Sequence, residues 1–276
     1  MTRIAILGLG EAGRLFAAGY SRAGARVRGY DPFVTAGEDG VEQSATLPEA
    51  LEGADVVISL VGPRAAAAVA REACAVIGRA CVYADFNTLS PEEKRAIAHE
   101  FEGRGLFADV AVMAPVPRAG SRTPLLASGS GAETFVRAVT PLGTPATAVS
   151  GDAGDAAGRK LLRSVFMKGL AALIIESLEA AREAGAEEEI RGQIASELGE
   201  DGEALVDRLV RGTRQHASRR VHEMEAAVGY LAELGARHPV TDATVEWLRH
   251  LSDAPLKRPL SPPGTDPGRP ARSVPR

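Results

Sequence analysis

Gly8, Gly10 and Gly13 are spaced G-x-G-x-x-G, and an acidic residue, Asp31, follows them. That set suits a dinucleotide. Gly8 permits a tight turn, Gly10 lets the backbone approach a pyrophosphate, and Gly13 lets a helix pack against a strand. Leu9, Glu11 and Ala12 complete the turn, whose helix N-terminus offers free N–H groups to an anion. Asp31 can accept hydrogen bonds from the hydroxyls of an adenosine ribose. Further along, Lys160, Ser164 and Lys168 recur at every fourth position of an apolar stretch, so on a helix they form one polar stripe. A lysine beside a carbonyl can give or take the proton that accompanies hydride transfer.

These side chains need a scaffold. Ile4–Leu7 reads as a buried parallel strand, and Leu15, Phe16, Gly19 and Tyr20 fall at helical spacing. Val27–Tyr30 reads as a second strand with Asp31 at its tip. Further strands are expected at Asp55–Val61, Cys81–Asp85, Gly105–Val112, Thr123–Ser128 and Thr144–Ser150. Helices are expected at Leu47–Leu51, Arg64–Ile77, from Ser90, and at Ala132–Thr140. Ser90-Pro91-Glu92-Glu93 is a helix start with a capping box. This alternation predicts an α/β domain, a Rossmann-type, mostly parallel sheet, over residues 1–150. From Asp155 the pattern turns helical: Asp155–Gly185, Glu187–Leu198, Gly202–Val210, Ser218–Leu234 and Thr241–Leu251. Residues 151–253 are therefore expected to form an all-α domain, with Glu187, Glu188 and Glu189 on a solvated face. The proline-crowded stretch 254–276 is expected to be disordered.

Three more loops at strand ends carry candidates. Val61-Gly62-Pro63 can pass close to a cofactor ribose, or be a plain turn. Asn87-Thr88 can place short polar groups at a nicotinamide, or cap a helix. In Met113-Ala114-Pro115-Val116-Pro117-Arg118, Arg118 and the nearby Arg122 can grip a carboxylate or phosphate with a rigid fork, or be solvated charges. The Lys160 stripe has its own plain alternative, a face turned to solvent. The chain has 276 residues, 25% of them charged, and a net charge of −4. There is no basic excess to recruit nucleic acid or an anionic membrane, and no run approaches a membrane span. The two cysteines, Cys74 and Cys81, read as buried thiols, and the five histidines lack metal-ligand spacing, so no metal is expected. With a strand beginning at once, a cytoplasmic protein is expected.

Together these motifs resemble the β-hydroxyacid dehydrogenase superfamily, which includes 6-phosphogluconate and 3-hydroxyisobutyrate dehydrogenases, over about residues 3–253. Ile6-Leu7-Gly8-Leu9-Gly10-Glu11-Ala12-Gly13 is similar to its cofactor signature. Asp85-Phe86-Asn87-Thr88-Leu89-Ser90-Pro91 stands at its Asp-x-Ser-Thr-x-x-Pro loop. Gly154–Leu161 is similar to the segment with its catalytic lysine, and Glu176 matches the glutamate further along that helix. The resemblance implies Lys160 as general acid/base, with Asn87 and Ser164 in the catalytic set. The cofactor would lie across Gly8–Gly13, Asp31, Val61, Gly62 and Asn87. Met113, Ala114, Arg118, Arg122, Ser164 and Lys168 would face the substrate. Two departures bear on that substrate: the family's Ser-Gly-Gly is absent after Val112, and its Asn one turn past the lysine is Ser164. Arg163–Leu173 looks like a branch with a phosphogluconate-dehydrogenase-like C-terminal domain. The expectation is a homodimer using NAD, with NADP the alternative because Arg26 and Arg28 lie near Asp31. Its substrate would be a small hydroxy acid or keto acid, with phosphorylated or phosphonate forms included. An imine or enamine reductase is the second enzyme reading; imine reductases replace the lysine. A dinucleotide-sensing protein is the non-enzyme reading.

Overall fold

The apolar run Ile4–Leu7 forms an interior strand of an eight-stranded sheet, in a computed structural model that describes residues 1–34 and 40–253. The expected disordered tail lies outside the described residues. The sheet comprises β1 (Arg3–Leu7), β2 (Arg26–Tyr30), β3 (Val41–Gln43), β4 (Val56–Ser59), β5 (Val82–Asp85), β6 (Leu106–Val112), β7 (Leu125–Ser128) and β8 (Ala146–Ala148), in the order β3-β2-β1-β4-β5-β6-β7-β8. Strands β1 to β6 run parallel, β7 runs antiparallel to β6, and β8 is parallel to β7. Between them lie α1 (Glu11–Arg22), α2 (Leu47–Leu51), α3 (Pro63–Cys74), α4 (Pro91–Glu100), α5 (Val116–Ala119) and α6 (Ala132–Val139). Successive strand side chains point to opposite faces, so each face has its own core. Ile4, Ile6, Phe16, Tyr20, Phe86 and Phe135 fill one. Ala5, Leu7, Tyr83, Phe101 and Phe107 fill the other. The capping box of α4 forms as read: Ser90 Oγ accepts the Glu93 N–H, and the Glu93 carboxylate accepts the Ser90 N–H.

The strand β3 and the helix α5 escape the sequence reading. β3 is three residues long with no buried member, so it has no alternation to detect. α5 carries Pro117 in its first turn, where a missing N–H costs nothing. The strand expected at 55–61 is shorter because Leu60 and Val61 already turn toward Gly62.

The register aligns one row across the sheet. Leu7 pairs with Ser59, Ser59 with Asp85, Asp85 with Asp109, and Asp109 with Ser128. In-register residues share a face, so four polar side chains stand side by side, and all four are at most 1% exposed.

Helices α7 (Asp155–Glu183), α8 (Glu187–Glu197), α9 (Gly202–Gln215), α10 (Ala217–Glu233) and α11 (Pro239–Asp253) follow. α9 extends beyond the expected Val210 because Gly212 is accommodated inside it. The described residues fall into two compact units. One contains Met1–Met167 and Glu223–His238, so the first turns of α7, with Lys160 and Ser164, belong with the sheet. The other contains Lys168–His222 and the residues described from Pro239 onward. Within it, Arg191 joins α8 to Glu203 and Asp207 of α9, and Arg214 of α9 bonds Glu179 of α7 at 2.5 Å.

Candidate active site

Three glycines in one turn answer to different demands. Gly8 has φ +93°, and a Cβ on it would lie 2.6 Å from the Leu60 carbonyl oxygen. A Cβ on Gly13 would lie 1.9 Å from the Gly8 carbonyl oxygen. The protein itself requires both. Gly10 is exposed, has an ordinary φ of −64°, and a Cβ there would meet nothing within 4 Å. The space over Gly10 lies at the α1 N-terminus, beside the exposed Glu11 and half-buried Ala12. Asp31 closes the turn from the tip of β2. Its Oδ2 accepts the Leu9 N–H at 2.8 Å, and its Oδ1 accepts those of Phe33 and Val34 at 2.8 and 3.1 Å. A carboxylate has about four acceptor sites, so Asp31 is fixed against the turn with capacity left for ligand hydroxyls. Free space over Gly10, helix N–H groups and a fixed carboxylate fit the pyrophosphate and ribose of a dinucleotide. Arg26 pairs with Glu42, while Arg28 pairs with Glu42 and donates to the Glu49 and Glu52 carbonyls. Both guanidiniums are engaged by β3 and α2.

The next two loops are tied together. Gly62, with φ +86°, donates its N–H to Asn87 Oδ1 at 2.8 Å. Asn87 Nδ2 donates to Ser59 Oγ at 3.0 Å and Asp85 Oδ1 at 2.5 Å. Asn87 is buried, and both amide hydrogens go to the protein; Val61 is half-buried and Thr88 exposed. The helix with the polar stripe is anchored from the same row of the sheet. Asp109 Oδ2 accepts the N–H groups of Gly154 and Ala157 at 3.1 and 2.9 Å, and Ser128 Oγ accepts that of Ala156 at 3.0 Å. Two strand side chains thus perform the capping that a local N-cap residue usually supplies. Lys160 follows within two turns and is half-buried; Ser164 is buried and Lys168 half-buried.

Residues 3–144, more than half of the chain, match the family described as the NAD binding domain of 6-phosphogluconate dehydrogenase. Residues 181–251 match a domain family of unknown function, DUF1932.

The chain belongs to the β-hydroxyacid dehydrogenase superfamily.

A conserved hypothetical protein from Sinorhizobium meliloti is 33% identical, with 95% of this chain and 92% of that chain covered at a TM-score of 0.79. The 3-hydroxyisobutyrate dehydrogenase of Mycobacterium tuberculosis, solved with L-serine, shares the fold: 22% identity, 92% and 94% coverage, TM-score 0.78. So does a reductive aminase from Aspergillus terreus, solved with NADPH: 18% identity, 91% and 94% coverage, TM-score 0.61. The chain is thus a hydroxyacid-dehydrogenase-like oxidoreductase, and its cofactor is a nicotinamide dinucleotide.

Within this superfamily fold, the substrate-side candidates differ in exposure. Met113 and Ala114 are half-buried at the end of β6, and Arg118 on α5 is exposed. Ser121 packs against Gly19 in the last turns of α1, so the exposed Arg122 stands toward the end of α1 remote from the glycine turn. Glu176 is exposed. Sequence reading gives no role to Ser59, Lys94, Asp109 or Ser128, and has Asp85 only as the first residue of the family's loop. One signal was available: Pro91, Lys94, Ile97 and Phe101 fall at helical spacing and are all buried, which places a lysine on the apolar stripe of α4. No group of His, Cys, Asp and Glu among the described residues could hold a metal ion, and none of their helices is long and apolar enough to cross a membrane.

Proposed function

We propose that the chain interconverts a small hydroxy acid and its keto form with NAD(H), and that Lys160 is the general acid/base. The observation supporting this is the anchoring of the α7 first turn to Asp109 and Ser128, on the sheet row that also ties the Gly62 and Asn87 loops. It gives Lys160 a fixed base beside cofactor-loop residues. When bound, the nicotinamide supplies or takes the hydride. The Lys160 ammonium protonates the substrate oxygen in reduction and recovers the proton in oxidation. Ser164 orients that oxygen. Arg118 meets a carboxylate or phosphate, with Met113 and Ala114 beside it at the end of β6, and Lys168 is a further substrate contact on the Lys160 stripe. Arg122, at the other end of α1, takes no part. Asn87 holds Gly62 beside the cofactor. NAD is favoured over NADP because Asp31 repels a 2′-phosphate, while Arg26 and Arg28 are occupied by Glu42 and the end of α2.

Residues 1–150 serve as the cofactor domain and 151–253 as the substrate and dimerisation domain. A homodimer is supported by the exposed apolar side chains along α7: Leu162, Phe166 and Leu173. The second reading, reduction of an imine, draws support from Ser164 and from the fold shared with a reductive aminase.

The test is NADH binding together with turnover of a panel of small 2- and 3-hydroxy acids with NAD. Lys160→Ala should lower turnover by about two to four powers of ten with NADH affinity unchanged, whereas Lys168→Ala should raise KM. Full turnover by Lys160→Ala overturns the assignment, and cyclic-imine reduction with no hydroxy acid oxidised selects the second reading. Gly10→Ala should cost the fold no more than about 1 kcal/mol and weaken NADH at least tenfold. Unchanged NADH affinity in that variant removes the turn from the cofactor site.

A further inference from the structure

Lys94 is 1% exposed, and its Nζ sits between two buried carboxylates. It donates to the Asp85 carbonyl oxygen at 2.7 Å and lies 3.4 Å from Asp85 Oδ2 and 3.2 Å from Asp109 Oδ1. A lysine in a dry core is costly unless paired, and here one positive charge serves two negative ones. The two ends of this arrangement are tightly held. Asp85 Oδ1 is bonded by the Asn87 amide and backbone, and Asn87 in turn holds the Gly62 N–H. Asp109 Oδ2 is bonded by Gly154, Ala157 and Ser128. The centre is held by charge. Asp85 Oδ2 and Asp109 Oδ1, the two oxygens that face the ammonium, have no aligned hydrogen bond. An ammonium is a compact charge with rotatable donors, so its pull is shared between the two carboxylates.

We infer that Lys94 is a positioning residue that couples the cofactor loops at Gly62 and Asn87 to the first turn of α7. Its ammonium is shared by two carboxylates, so a change at one alters what the other receives. A displacement of Gly62 and Asn87 by a bound dinucleotide shifts Asp85, moves the ammonium, and changes how firmly Asp109 holds Gly154 and Ala157. The inference rests on the reading of the glycine turn and Gly62 as a dinucleotide site.

The experiment measures backbone amide exchange at Gly154, Ala156 and Ala157 with and without saturating NADH, with NADH affinity measured separately. In the unaltered protein NADH should slow exchange there about fivefold or more. In Lys94→Met that slowing should fall below about twofold while NADH still binds. Asp109→Asn, which keeps the shape and removes the charge, should behave the same way and serves if Lys94→Met does not fold. Persistence of the slowing in the variants, or its absence in the unaltered protein despite NADH binding, overturns the coupling. Absence of NADH binding to the unaltered protein overturns instead the dinucleotide reading.

Discussion

The sheet unit keeps a lysine and two aspartates in its dry interior, while ion pairs of the helical unit such as Arg214–Glu179 and Arg211–Asp207 lie where water reaches them. Lys94, Asp85 and Asp109 are each at most 1% exposed. Arg214 and Glu179 are 29% and 30% exposed, and Arg211 reaches 76%. The chemistry is the same, but the consequences differ. In water an ion pair gains little, because solvent replaces whichever partner is lost. In the interior nothing replaces it, so each charge binds several elements to one geometry. Burial is used where loops and a helix must be held in register, and exposure where helices only need to stay soluble and adjacent.

Removing the central charge is the severest test of this contrast. Lys94→Met leaves two buried carboxylates facing each other and should cost about 3–5 kcal/mol in chemical unfolding; a loss below about 1 kcal/mol would erase the difference between the units. Arg214→Met, in the partly exposed pair of the helical unit, should cost no more than about 1 kcal/mol in the same measurement. The smallest effect is set by acid. The Arg182 hydrogen bond holds the Glu187 carboxyl below the ordinary carboxylate range, against a smaller opposing effect of burial. A depressed folded-state pKa contributes stability above the unfolded value of about 4.3, lost as pH falls through the folded value. Arg182→Met should therefore be slightly less stable than the unaltered protein at pH 7, and the two melting temperatures should converge toward pH 3. A gap that widens in acid would contradict the assignment.

How far the sequence discloses each region follows from the same physics. The glycine turn is legible because its pattern is local: Gly13 answers to the Gly8 carbonyl five residues earlier, and Gly8 stands at a fixed spacing from it, although the Leu60 backbone that also requires Gly8 follows another strand. The capping box at Ser90 and Glu93 was legible for that reason too. The Rossmann-type sheet was read from apolar runs, yet β3 and α5 escaped, one too short to alternate and the other masked by prolines. The row of Ser59, Asp85, Asp109 and Ser128 was not legible, because it exists only in the register between strands. Lys94 was half visible, as a charge on an apolar stripe, but its partners come from two strands and no spacing rule relates them. The helix of Lys160 was read correctly in extent, whereas its anchorage depends on a strand some 45 residues earlier.

That distance has a consequence for synthesis. As the chain emerges from the ribosome, β6 can join its parallel neighbours before Gly154 and Ala157 have been made. Asp109 is then committed to the interior with only Lys94 and Ser128 to answer it, and the donors that complete its set arrive 45 and 48 residues later. The nascent sheet is therefore an unfinished domain, and a fragment ending at Val149 should be prone to capture by chaperones until the first turn of α7 closes over it.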